Sequence, residues 1–172
     1  MDHNGDSGRP LDELCDFIVE RYHAYLHRAL PLIGAELAGL TGVDPSIAET
    51  RAAFADLANE IQGHLAKEEN LLFPAIEALA RAYREGGSRP ALPFVTVLHP
   101  IRLMETEHLR IETAMDRLRD LTHTYAVPEG APDNWRHCLS ELSRLDADLR
   151  EHHRTENEVL FPHALELEYR LS

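Results

Sequence analysis

The sequence predicts an all-α protein folded as an up-down-up-down antiparallel four-helix bundle. Three observations lead there. Apolar residues recur at helical period in four long stretches. Short breaks rich in Gly and Pro separate these stretches, so helices adjacent in the chain must run antiparallel. The apolar residues, 44% of 172, are mostly Leu and Ala, and aromatics make up only 6%; that composition favours helix over sheet. A chain of this length can bury one core.

Residues 1–10 are polar and read as a disordered tail ahead of one domain over 11–172. The first helix is expected from about Leu11 to Ala38, with Leu14, Ile18, Tyr22, Leu26, Leu30, Ile33 and Leu37 as its apolar stripe. Pro31 falls inside it and is expected to kink it. Gly39 to Pro45 reads as a turn, with Asp44 or Ser46 as the cap of the next helix and Pro45 near its first position. The second helix is expected from about Ile47 to Arg84. Gly86, Gly87, Pro90 and Pro93 mark the following loop. The third helix is expected to start at Phe94 or Ile101 and to end near Thr122. After a loop from His123 to Asp133, the fourth is expected from about Asn134 to Tyr169.

One phrase occurs twice. His64-Leu-Ala-Lys-Glu68 is followed by Leu72-Phe73-Pro74, and His152-His-Arg-Thr-Glu156 by Leu160-Phe161-Pro162. Residues four apart on a helix share a face, so each copy brings an imidazole and a carboxylate to one place. Both copies lie on apolar stripes, where unpartnered polar groups are costly. His23 and His108 fall on or beside the stripes of the other two helices. His23 precedes His64 by 41 residues and His108 precedes His152 by 44, which suggests two halves related by a pseudo-twofold axis. Counting about 1.5 Å of rise per residue places the four His within a turn of one level. Four imidazoles and two carboxylates in one buried layer call for cations. The donors are nitrogen and oxygen without thiolate, which suits iron or manganese and, less specifically, zinc.

A ferritin-like alternative uses Glu20-x-x-His23 and Glu105-x-x-His108 with Glu68 and Glu156, leaving His64 and His152 without a role. Glu20, Glu105, Glu107 and Glu112 are otherwise expected as partners of the ligands or as surface charges. His27 and His153 are lesser ligand candidates. Phe73-Pro74 and Phe161-Pro162 read as core filling with a helix kink.

The net charge of −13 argues against nucleic acid or an anionic membrane as partner. No apolar run approaches the roughly 18 residues of a spanning helix, and the first residues lack an apolar signal core. A cytoplasmic location is expected. Cys15 and Cys138 lie on opposite sides of the His layer and are expected to be free thiols.

Across about residues 11–170 the pattern resembles the hemerythrin-like (HHE) cation-binding domain, a four-helix bundle with a non-heme di-iron centre. Closer still, Arg21-Tyr22-His23, His64 through Glu69-Asn70, Glu107-His108 and His152 through Glu156-Asn157 look like the iron–sulfur-cluster repair di-iron proteins. That resemblance implies two iron ions with an oxo or hydroxo bridge, His23, His64, His108 and His152 as terminal ligands, two per iron, and Glu68 and Glu156 as bridges. It also implies a role in nitrosative or oxidative stress, with a diatomic or peroxide ligand and damaged iron–sulfur proteins as partners; a monomer and a homodimer are both left open. Oxygen or iron sensing, oxygen binding and iron storage are the other functions open to such a bundle. The oxygen carriers show His-x-x-x-His on the third helix and His-x-x-x-x-Asp on the fourth. Here those positions hold Glu112 and Asn157, which favours the repair type over the carrier type. The fuller repair proteins carry a short N-terminal domain with paired cysteines, where this sequence has about ten residues.

Overall fold

The computed structural model describes residues 9–40 and 45–172. Residues 1–8 of the expected tail, the turn over 41–44 with its Asp44 cap, and the side chains of Pro45 and Ser46 lie outside the described residues. The described residues contain helices and no strand. Four long helices follow in order: α1 over 11–39, α2 over 45–84, α3 over Leu98–Leu121 and α4 over 133–170. α1 packs on α2 and α4, and α2 packs on α3, as expected of the bundle.

The helix ends lie close to their expected places. α3 starts between the two expected starts, with Pro100 in its first turn, where a missing N–H is tolerated. Glu168 of α4 ties the preceding loop down. It accepts hydrogen bonds from Arg89, the Thr96 hydroxyl and the Val97 N–H. Pro31 sits on an exposed face and the helix runs on through it.

Within α1, α2 and α4 one turn has π form: Val19–His23, Glu68–Leu72 and Glu156–Leu160. Each closes with a bond over five residues, from the N–H of Ala24, Phe73 and Phe161 to the carbonyls of Val19, Glu68 and Glu156. The sequence had suggested simple kinks at Phe73-Pro74 and Phe161-Pro162. What the structure shows there is a register slip, one π turn directly ahead of each Phe-Pro. Pro74 and Pro162 have no N–H, so each helix loses an α-type bond there in any case, and the turn before it widens.

Two apolar cores fill the bundle. One gathers Leu26 to Leu40, Ala53 to Leu65, Ile111 to Leu118 and Trp135 to Leu149. The other gathers Leu14 to Tyr22, Leu72 to Leu79, Val97 to Met104 and Leu160 to Ala164. On every helix the candidate ligands fall at the junction between these cores. Cys15 lies in the second core and Cys138 in the first, and both are free.

Candidate metal centre

His23, His64, Glu68, His108, His152 and Glu156 are each at most 1% exposed and meet in one layer. They form two sets that share both carboxylates. One is His23, His152, Glu68 and Glu156; the other is His64, His108, Glu68 and Glu156. In each set the donor atoms lie within 4.8 Å of one another. The Nε2 atoms of His23 and His152 are 3.1 Å apart, as are those of His64 and His108. Two nitrogens bound at a right angle to one ion, each at about 2.1 Å, would lie about 3.0 Å apart. The ring nitrogens are therefore spaced for two ions.

The two carboxylates span both sets. Glu156 turns Oε1 to His152 Nε2 at 2.9 Å and Oε2 to His108 Nε2 at 3.2 Å, one oxygen for each half. Glu68 Oε2 lies 3.4 Å from both His23 Nε2 and His64 Nε2. Each set thus takes one His from each copy of the repeat. The reason is lateral: α1 lies against α4, and α2 against α3.

The far sides of three rings are held by acceptors. His23 Nδ1 donates to Glu69 at 3.0 Å, His64 Nδ1 to Glu107 at 3.2 Å and His108 Nδ1 to Asn157 at 3.0 Å. A proton on Nδ1 leaves the Nε2 lone pair free for a cation. Lys67 in turn donates to Glu107, and His27 to Glu69. Aromatic rings cover the same imidazoles. Phe73 stacks on His23 at 5.5 Å and Phe161 on His108 at 5.9 Å between centroids. Glu69 with Phe73, and Asn157 with Phe161, play matching parts in the two halves.

The match fails at one place. Tyr22 precedes His23 as Glu107 precedes His108, yet Tyr22 stacks flat on His152 instead of accepting from it. His152 Nδ1 is left without a hydrogen-bond partner among the described residues.

The electrostatics are those of a site arranged for cations. Burial pulls His23 and His64 down to about 4, so both are neutral at pH 7 and able to ligate. Burial, and then the charge of Glu156, pushes the Glu68 carboxyl well above its ordinary range. Burial also acts to raise Glu156, but the His152 and His108 imidazoles outweigh it and hold that carboxyl well below the ordinary range. Both Glu68 oxygens and Glu156 Oε2 are buried without a hydrogen-bond partner among the described residues. Such orphaned oxygens are costly, and cations between them and the imidazoles would satisfy them. A set of four nitrogens and two carboxylates suits divalent iron, manganese or zinc.

Other candidates fall elsewhere. Glu20 and Glu105 are exposed, so the ferritin-like set is not assembled. His27 is half-exposed and reaches only Glu69. Glu112 is half-exposed, 3.6 Å from His153 Nδ1. His153 is buried against His108 and belongs to the layer. Glu69 and Asn157 stand within the sequence motifs, but the sequence gave neither a hydrogen bond to an imidazole, and it did not foresee the Tyr22 stack. Glu69 and Asn157 each directly follow a shared carboxylate in the repeated phrase, and aligning the copies picks them out.

Comparison with known proteins is consistent with this geometry. The family model described as hemerythrin HHE cation binding domain matches residues 16–90 and 99–171. The iron-sulfur cluster repair protein YtfE of Edwardsiella ictaluri is 37% identical over 163 residues, covering 91% of this chain and 66% of that protein. Its namesakes from Yersinia pestis strain Pestoides F and Yersinia pseudotuberculosis serotype O:1b are each 33% identical over 161 residues, covering 91% of this chain and 67% of theirs. The chain thus spans about two thirds of the length of these relatives.

Proposed function

The chain belongs to the hemerythrin HHE cation-binding family, and from that footing we propose a non-heme di-iron protein of the iron–sulfur-cluster repair type, working in the cytoplasm. Residues 11–172 form its metal-binding domain. His23 and His152 hold one iron, His64 and His108 the other, and Glu68 and Glu156 bridge them. The observation that carries this reading is the sharing of both buried carboxylates between two imidazole pairs. The names of the relatives in Edwardsiella and Yersinia support the repair assignment.

A pair of irons would supply reversible one-electron chemistry between the +2 and +3 states. The chain's own residues prepare the place for it. Glu69, Glu107 and Asn157 fix three imidazoles in the ligating tautomer and orientation. Glu68 and Glu156 offset cationic charge in a layer closed off from water by the two apolar cores. The ligand would be nitric oxide or a peroxide, and the partner a damaged iron–sulfur protein. No helix among the described residues is long and apolar enough to cross a membrane.

Elemental analysis of protein from iron-replete cells tests the metal. Two irons per chain are expected, with optical changes on adding nitric oxide. One tightly bound zinc and no second metal would refute the di-iron reading. Recovery of cluster absorbance in a nitric-oxide-treated iron–sulfur protein tests the repair role. Recovery no better than with the apo protein would refute it.

A further inference from the structure

His153 is the one buried imidazole of the layer that the two ligand sets leave out. It follows His152 on α4 and is 2% exposed. Its ring lies flat on His108, with centroids 4.0 Å apart and planes 14° from parallel, and stands edge-on to His64 at 6.0 Å. One of its nitrogens lies within 4.8 Å of the donor atoms of His64 and His108. Neither nitrogen has a hydrogen-bond partner among the described residues, and Glu112 at 3.6 Å from Nδ1 is beyond hydrogen-bonding reach. A buried imidazole carries at least one N–H whatever its charge, and leaving it unmatched is costly.

Two kinds of partner could satisfy it: the ion beside His108, or a molecule held next to that ion. The ring planes decide. An imidazole binds an ion through an in-plane lone pair, so two imidazoles on one ion both contain it in their planes. His108 and His153 are stacked in near-parallel planes, and an ion in the plane of one lies outside the plane of the other. His153 is therefore not a co-ligand in this arrangement. We propose that His153 is a contact for the exogenous ligand: it donates a hydrogen bond to a small anion or diatomic molecule bound at the His64/His108 position. This rests on the metal-centre reading above and adds that the two positions are unequal. The His23/His152 pair has Tyr22 and Phe73 stacked against its rings, whereas His153 stacks on His108 of the other pair.

Azide is the probe. Wild-type and His153→Phe proteins are loaded with iron, assayed for metal, and titrated with azide by absorbance. Phe keeps the stack on His108 and removes the N–H. Equal metal content, an unchanged azide-free spectrum and azide binding weakened by about tenfold are expected in the variant. The stretching frequency of bound azide in the wild type should shift when water is replaced by deuterium oxide, a readout that stands even if the variant fails to fold. Unchanged azide affinity, or no deuterium shift in loaded wild type, would overturn the proposal alone. Metal loss or a changed azide-free spectrum in a His153→Phe protein that keeps the wild-type far-UV spectrum would also overturn it, by marking His153 as a ligand. Wild-type protein that takes up no metal would sink the metal-centre reading and this proposal with it.

Discussion

Stripping the metals should destabilise the fold by an amount that the layer itself sets. Without cations, three carboxylate oxygens, both of Glu68 and Oε2 of Glu156, remain buried without partners. Each such acceptor costs about 1–3 kcal/mol. Taking up a proton relieves part of this at Glu68, whose carboxyl is already pushed upward by burial. A loss of about 3 kcal/mol, at the low end of what three such oxygens would cost, is therefore expected. From the binding side, a metal at a thousand times its Kd contributes about 4 kcal/mol per site, or about 8 kcal/mol for two, so the loss from the orphaned oxygens is the smaller of the two estimates. For a chain of this length, 1 kcal/mol moves Tm by about 2–4 °C, giving a drop of about 6–12 °C or more on chelation. Calorimetric melts of loaded and chelated protein at neutral pH measure it, with elemental analysis of both samples. Melting temperatures that coincide within a degree or two, for samples shown to differ in metal, would refute the claim that these oxygens depend on cations.

Three further outcomes are expected. Glu68→Gln or Glu156→Gln should lose bound metal on dialysis, because each side chain faces both imidazole pairs, while Glu112→Gln should retain it; elemental analysis decides, and metal loss greatest in Glu112→Gln would move a ligand to α3. Glu107→Gln, which leaves His64 Nδ1 a weaker acceptor, should bind metal about 10–100-fold less tightly in a competition titration with a chromogenic chelator, with the far-UV spectrum unchanged. Burial acts to raise the Glu168 carboxyl, but bonds from Thr96, Arg89 and the Val97 N–H hold it below its ordinary range. A depressed folded pKa adds stability above the unfolded value of about 4.5, and that stability is lost as pH falls. Acid denaturation of Glu168→Gln should accordingly show a shallower slope below that pH than wild type.

The sequence by itself determined the bundle, the helix ends to within a few residues and six of the residues that meet in the layer. These follow from local periodicities: 3.6 residues per turn set the stripes, and a spacing of four put each His over its Glu. The length of rise from turn to ligand set the common height. What only the tertiary structure decided is lateral. Nothing in the spacing of His23, His64, His108 and His152 says which two face each other. That depends on which helices are neighbours and on their rotation, and α1 against α4 with α2 against α3 pairs the rings across the repeat. The π turns were hidden for a related reason. Pro74 and Pro162 announce a lost hydrogen bond, but whether the helix bends or slips by a residue depends on what the flanking side chains must face. Here Glu68 and Phe73 both point inward, one into the His/Glu layer and one onto His23. The difference between Glu107, which holds His64, and Tyr22, which stacks on His152, likewise appears only when rings from separate helices are brought within contact. His153 makes the same point. As a neighbour of His152 in the chain it is one more helix residue, and the stack on His108, across from α4, gives it a place in the layer.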